Sequence, residues 1–221
     1  MIQIAYRTTD DASDVKNVLY KPPLPISIES MAVHHITQAM VDGQKPFIDS
    51  PEFTDLRERF DRNEVIVAHN AKFDLEMLTR EGLKKPMYID TFKVAHHLDH
   101  DGKIPSYALQ YLRYFLGIEI TAAAHDAWGD VLVMERLFYR QLKKIMEQMN
   151  CDQETAINKM IDISNDPLIF KFFPFGKYKN QALEEVAKND PGYLRWLLEQ
   201  KEADTPHDED WIATLRKFLH L

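Results

Sequence analysis

The run Val65-Ile66-Val67-Ala68 limits what this chain can fold into. It is too short for a buried helix, and three of its four residues are β-branched. That pattern suits a strand covered on both faces, as in parallel sheets. Parallel strands need crossover connections, so such a strand implies an α/β layered fold.

The flanking sequence agrees. Residues 71–81 have helical spacing and stop at Gly82, a favourable C-cap residue. Residues 87–89 form a second short strand, and 91–98 a helix. Ser106 opens a predicted helix over 106–116 that Gly117 ends, and a long helical pattern covers about 126–149. On that long helix Leu132, Met134, Leu137, Phe138, Leu142, Ile145 and Met146 make a core stripe. At the start, residues 1–7 and 16–20 read as strands joined by the polar turn 8–14. The prolines at 22, 23 and 25 force an extended segment. Ser27 caps a short helix over 28–33, Thr37 opens another, and residues 47–60 form a surface helix.

The chain has 221 residues, enough for one moderate domain and a small appendage. We divide it into a domain over 1–149, a linking helix over 150–164 and a module over 165–221. The last begins after the break Asn165-Asp166-Pro167, and its aromatic-dense stretch 170–178 reads as a compact turn or hairpin. The single cysteine, Cys151, fits a reducing, cytoplasmic compartment and an inert thiol. No apolar run reaches the ~18 residues of a membrane span. The net charge of −8 restricts nucleic-acid contact to a local patch or to metal-bridged acids.

Two stretches carry chemistry. His69-Asn70-Ala71-Lys72-Phe73-Asp74 follows the buried strand, at the end of a sheet where ligands bind in α/β folds. Asn70 can cap the next helix, and Asp74 can face a metal. Structurally, the same residues are a cap and a first-turn acid. His125-Asp126-Ala127-Trp128-Gly129-Asp130 opens the long helix. Residues five apart on a helix do not share a face, so His125 must precede its regular part if it works with Asp130. A near-neutral histidine can take a proton from water. Alternatively it is a solvent-facing histidine beside an acid.

Together, His-Asn-x-x-Phe-Asp at a strand-to-helix turn and His-x-Ala-x-x-Asp about fifty residues later resemble the DEDDh 3′–5′ exonucleases, the ribonuclease-H-like group of the polymerase III epsilon and exodeoxyribonuclease X type. Residues 31–37, Met-Ala-Val-His-His-Ile-Thr, are similar to the family's substrate-wedge segment, with His35 where glycine is usual. Ile89-Asp90-Thr91 is similar to its next strand end. The resemblance covers about residues 1–145. It implies a ribonuclease-H-like mixed sheet flanked by helices. It also implies two Mg²⁺ or Mn²⁺ ions on four carboxylates, with Asp74 and Asp130 as two of them and His125 as general base. His34, Ile36, Thr37, His69, Asn70 and Phe73 are implied near the substrate. The implied substrate is DNA, as single-stranded or frayed 3′ ends, in a polymerase or repair setting.

The family's first motif, Asp-x-Glu on the first strand, is absent from the numbered sequence, which opens at a segment that would follow it. The expectation is a sheet lacking an interior strand, a site with two of four carboxylates, and a start internal to a longer protein. A non-catalytic domain that holds nucleic acid or a partner is the competing reading.

Residues 174–217 resemble the small module behind some exonucleases of the exodeoxyribonuclease X type. Lys177, Tyr178 and Lys179 are candidate nucleic-acid contacts there. The alternative makes the module's aromatics, Tyr193 and Trp196 above all, its core. His96, His97, His100 and Asp99 lack the closed spacing of a zinc site.

Overall fold

The computed structural model describes residues 1–9, 11, 13–120, 127–205 and 208–221. Strands β1 (Gln3–Arg7) and β2 (Val15–Leu19) pair antiparallel, Gln3 opposite Leu19 and Arg7 opposite Val15. Strands β3 (Val65–Ala68) and β4 (Met87–Asp90) pair parallel, Val65 opposite Met87 and Ala68 opposite Asp90. The result is an α/β fold whose small mixed set of strands is flanked by helices. Among the described residues no ladder bond joins the two pairs, so the sheet stands as two halves.

The connection after β2 carries α1 (Ile28–His34) and α2 (Gln38–Val41). Ser27 caps α1 by accepting the Ser30 N–H. The surface helix expected over 47–60 divides in two. A 3₁₀ turn at Phe47–Asp49 ends at Ser50, whose hydroxyl caps α3 (Pro51–Asp61). Proline at the first helical position forces the new start, because its ring fits only where no N–H is required. Tyr20, Phe47, Leu56, Phe60, Leu78 and Leu83 form a core beneath the β1–β2 hairpin.

Helix α4 (Lys72–Arg80) makes the crossover from β3 to β4. Then come α5 (Thr91–Leu98), α6 (Leu109–Phe115), α7 (Ala127–Met149) and α8 (Gln153–Asn165). Helix α6 starts three residues later than expected. Tyr107 is held outside it, with its hydroxyl on Asp99 and its carbonyl on His69. Ile89, Val94, Phe138, Leu142, Ile145, Ala156 and Met160 build the main core, so α8 is part of that core.

Helices α9 (Leu183–Asn189), α10 (Pro191–Ala203) and α11 (Glu209–Leu219) enclose a further core around Phe173, Leu194, Trp211 and Leu215. It contacts α5 through Lys93, which donates to the Asp166 carbonyl at 2.7 Å and lies 3.6 Å from Asp210. Tyr193 packs into this core, but Trp196 is 51% exposed, against the expectation. The buried stripe of α10 is Leu194, Leu197 and Leu198, and Trp196 falls off that face.

His35 ends α1 with φ +59°, the left-handed conformation that favours glycine. This explains the glycine of the resembling motif, and it means the histidine is tolerated with strain. His35→Gly is expected to raise stability by roughly 0.5–1 kcal/mol, the left-handed penalty less the greater unfolded freedom of glycine. Urea unfolding midpoints of both proteins measure it; a lower midpoint for the variant contradicts it.

Candidate active site

A cavity of about 540 Å³ lies between the two half-sheets. Residues 1–6, including the length of β1 up to Tyr6, form one wall; Ile66, Val67, Ala68 and His69 form the other. Among the described residues, neither wall's strand edge has a ladder partner across the gap. An unpaired edge on each side makes the space strand-shaped.

The β3–α4 turn determines what enters this space. Asn70 has φ +60°, which asparagine tolerates better than most residues. It does not cap α4 as expected. The residue before α4 is Ala71, with no side-chain cap. The cap comes from across the ladder. Asp90, 4% exposed, accepts the N–H of Asn70 at 2.9 Å on Oδ1 and the N–H of Ala71 at 3.0 Å on Oδ2. Oδ1 also accepts the Phe92 N–H at 3.0 Å, capping α5. One carboxylate thus fixes the entries of two helices. The Asp90 N–H donates to Ser164 Oγ at 2.7 Å, and that hydroxyl donates to the Met160 carbonyl at 2.6 Å.

Asp74 lies in the first turn of α4, exposed at the cavity. Desolvation by the surrounding protein raises its carboxyl pKa; its own backbone N–H opposes this, and the Asp90 charge adds to it. Asp130 lies in the first turn of α7 and lines the same cavity, accepting a short hydrogen bond from Gln110. His34, Ile36, His69 and Phe73 also line it. Phe73 is 68% exposed. The His34 Nδ1 accepts the Ile36 N–H at 3.1 Å, which leaves the proton on Nε2 in the neutral ring. That Nε2 is buried without a hydrogen-bond partner among the described residues.

His69 sits differently from a free contact residue. Its Nε2 lies 2.8 Å from the Tyr107 carbonyl and its Nδ1 2.9 Å from Thr91 Oγ1. Burial holds its pKa below the ordinary value, against the pull of the Tyr107 carbonyl. The ring therefore braces the turn. Thr37 and Asn70 are not on the cavity wall. His125 and the adjoining Asp126 lie outside the described residues. Lys177 and Tyr178 belong to the C-terminal module, where both side chains engage Asp190, at 3.2 and 2.6 Å. Lys179 stands exposed nearby.

The residues around His96 are committed elsewhere. His96 stacks on Tyr107 at 3.5 Å, and burial, with Lys171 nearby, pushes its pKa down to about 4. Asp99 accepts the N–H groups of Lys103 and Ile104, both at 2.9 Å, and the Tyr107 hydroxyl at 2.6 Å.

Among the described residues, two carboxylates and no lysine or arginine line the cavity, a donor set of the hard-oxygen type that Mg²⁺ or Mn²⁺ prefers. Among the described residues, no group of three or more His, Cys, Asp or Glu is arranged to hold a metal. The residues present therefore fit a divalent cation in kind and fall short of a closed two-ion site in number.

Comparison with known proteins agrees with the fold. A family model described as Exonuclease matches residues 1–138, and one described as Exodeoxyribonuclease X-like C-terminal matches residues 173–202. Exodeoxyribonuclease 10 of Escherichia coli K12 is 34% identical over 203 residues, covering 91% of this chain and 83% of that protein. A DNA polymerase III subunit epsilon-like protein of Rhodobacter capsulatus is 35% identical over 141 residues, 59% of this chain and 19% of that one. A solved structure of exonuclease X with 5′ overhanging duplex DNA aligns with TM-score 0.52 at 24% identity, over 74% of this chain and 89% of that one. The chain belongs to the DEDDh exonuclease family of the exodeoxyribonuclease X type.

Two substitutions check the scaffold of the site. Asp90→Asn replaces an acceptor of three N–H groups by a side chain whose amide must face one of them, and is expected to cost about 3 kcal/mol. A denaturant midpoint unchanged within error contradicts that role. At Asp99, burial acts to raise the carboxyl pKa. The Tyr107 hydroxyl, the two N–H groups and Lys171 outweigh it and hold the pKa below the usual value. A depressed carboxyl stabilises the fold above its unfolded pKa and loses that stabilisation as pH falls through the folded value. Asp99→Asn is expected to lower stability at pH 7 by about 2 kcal/mol. The gap to the wild type should narrow below about pH 4. A pH-independent gap in thermal melts contradicts this.

Proposed function

We propose that this chain is the body of a 3′–5′ exonuclease that hydrolyses DNA from the 3′ end. The observation that carries the proposal is the convergence of Asp74, Asp130, His34, Ile36 and Phe73 on one cavity. The E. coli relative's name, an exodeoxyribonuclease, favours DNA over RNA. In this reading Asp74 and Asp130 are metal ligands, and Mg²⁺ or Mn²⁺, two ions in the complete site, supplies charge neutralisation and an activated water. His125 takes the proton as the water oxygen bonds to phosphorus and the 3′ oxygen leaves. Phe73 offers a ring for the terminal base, and His34 Nε2 an N–H donor beside it. Ile36 closes the apolar side, with Thr37 following at the wedge. His69 and Asn70 hold the turn that aims Asp74.

The reading assigns residues 1–149 to the nuclease domain, 150–164 to a helix that packs on that domain's core as it links onward, and 165–221 to a module in which Lys177, Tyr178 and Lys179 adjoin nucleic acid. Substrates are single-stranded or frayed 3′ ends, met within polymerase or repair assemblies. Among the described residues no helix is long and apolar enough to cross a membrane.

The strand-shaped gap supports a specific requirement. An extended segment pairing with both edges would bring its alternate side chains toward Asp74 and Asp130, and an Asp-x-Glu pair would add two carboxylates there. We therefore expect the chain carrying such a segment, fused in frame before Met1, to release nucleotides from 3′-labelled single-stranded DNA with Mg²⁺. The rate should exceed that of the chain as numbered by roughly 100-fold, since metal stabilisation of the reacting phosphate is worth several kcal/mol. Equal rates for the two would show that the gap is not needed. The shortage of metal donors favours a second reading, a domain that binds 3′ ends without cutting them. Silence of the extended chain, with retained DNA binding, would establish that reading instead.

A further inference from the structure

We propose that Gln110 is a positioning residue for Asp130: its neutral amide fixes the carboxylate for a divalent cation without cancelling the charge that cation needs. The inference rests on the reading of Asp130 as a metal ligand. Gln110 acts through Asp130 and touches neither the metal nor the DNA.

The fold brings the two residues together from separate helices. Tyr107, held by Asp99 and His69, delays the start of α6 to Leu109. Leu109 then lines the cavity and Leu112 is fully buried. Gln110 sits half-buried in the first turn of α6, and Asp130 half-buried in the first turn of α7. Gln110 Nε2 donates to Asp130 Oδ1, a short bond to a charged acceptor. Among the described residues, no other donor and no cation holds the Asp130 carboxylate. The Asp74 carboxylate has no such side-chain donor among them, only its own backbone N–H. Of the two acids on the cavity, one is held and the other is free to follow what binds.

The neighbours decide which end of the amide faces Asp130. Gln110 and Arg113 are three apart on α6 and share a helix face. Arg113 Nη1 donates to Gln110 Oε1 at 3.4 Å. A guanidinium only donates and a carboxylate only accepts, so the amide oxygen must face Arg113 and the nitrogen Asp130. The Arg113 guanidinium is steadied in turn over the Tyr114 ring, 5.3 Å from its centroid.

A cation in the place of that amide would act differently. A lysine or arginine bound directly to Asp130 would neutralise it and occupy the oxygens that a hard cation takes. Arg113 makes no ion pair with Asp130 among the described residues, so its charge reaches the carboxylate only through the amide. The amide occupies one lone pair of Oδ1 and leaves Oδ2 and the negative charge open. Holding the side chain in one rotamer also removes an ordering cost from cation binding. A bond that merely tied α6 to α7 would be served as well by any donor of sufficient length, charged or not.

That difference is the test. Mn²⁺ binding, followed by the EPR signal of the free ion in the absence of DNA, compares the wild-type chain with Gln110→Ala, Gln110→Lys, Arg113→Ala and Asp130→Asn. Gln110→Ala is expected to weaken Mn²⁺ binding roughly tenfold or more, the usual effect of removing a donor behind a metal ligand. Arg113→Ala should act in the same direction and by less. Gln110→Lys should bind Mn²⁺ more weakly still, while its ion pair with Asp130 keeps the thermal midpoint at or above the wild-type value. The lysine variant carries the test should the alanine variant fail to fold. Wild-type Mn²⁺ affinity in either Gln110 variant, or a wild-type chain that binds no Mn²⁺, overturns the proposal. Loss of Mn²⁺ in Asp130→Asn alone overturns it and leaves the nuclease reading intact. Unchanged binding in Asp130→Asn overturns it together with the assignment of Asp130 as a ligand. The expected losses in a chain that cleaves no 3′ ends refute the nuclease reading and leave this one standing.

Discussion

The buried carboxylate of Asp90 is the contact on which the rest of this site depends. Parallel pairing of β3 and β4 brings the ends of both strands to one edge, each followed at once by a helix. Two sets of orphan N–H groups therefore crowd the same place, where water has little access. A single acceptor with two oxygens answers both. Burying a charge is costly, and the N–H groups around Asp90 offset that cost only while the ladder register holds. The register is held in turn from the far side. Tyr88 donates to the Ser164 carbonyl at 3.0 Å, Ser164 accepts the Asp90 N–H, and Gln141 donates to the Thr91 carbonyl at 2.8 Å. Helices α7 and α8 thus steady the end of β4, whose Asp90 holds the turn that precedes Asp74.

The opposite wall is tied down by other means. With no ladder across the gap, the β1–β2 hairpin relies on side chains: Arg7 with Glu135 at 3.3 Å, Tyr6 on Asp55 at 2.8 Å, and the Met1 amino group on Glu81. Beneath it lies the core around Tyr20 and Phe60. These contacts hold the outer face of the hairpin and leave its inner edge open. Of the two walls, the β3 side is set by buried polar bonds and the β1 side mainly by apolar packing and ion pairs.

Much of this was legible in the sequence where the signal is local. The β-branched run at 65–68, the Ser27 cap, the stops at Gly82 and Gly117 and the spacing along α7 each report on a few neighbouring residues. Of the two motifs read in the sequence, the structure brings Asp74 and Asp130 to one cavity, while His125 lies outside the described residues. What local pattern could not show is action at a distance. Asp90 reads as a strand end, and its capping of a helix nineteen residues earlier exists only once the ladder forms. Asn70 looked like a cap because asparagine serves both caps and left-handed turns; the backbone chose the second. Helix α6 begins late because Tyr107 is claimed by Asp99 and His69, both distant from the Ser106 signal. Trp196 was read as core on size alone, and the phase of the leucines on α10 overrules it.

The electrostatics of the two faces of α7 complete the physical picture. At its start, Asp130 and the nearby Asp74 put negative charge on a cavity with no lysine or arginine on its wall among the described residues. Desolvation already pushes the Asp74 carboxyl up, so the site favours neutralisation. A phosphodiester brought there bare would meet repulsion. Farther along the helix, and on its opposite face, Arg136, Arg140 and Lys143 present positive charge, with Glu119 across the cleft. At the physiological screening length of about 8 Å, groups 9–20 Å apart along the helix are felt separately. The acidic total of the chain is thus a poor guide to either patch, because the charge is divided between the two faces of one helix rather than averaged over the surface.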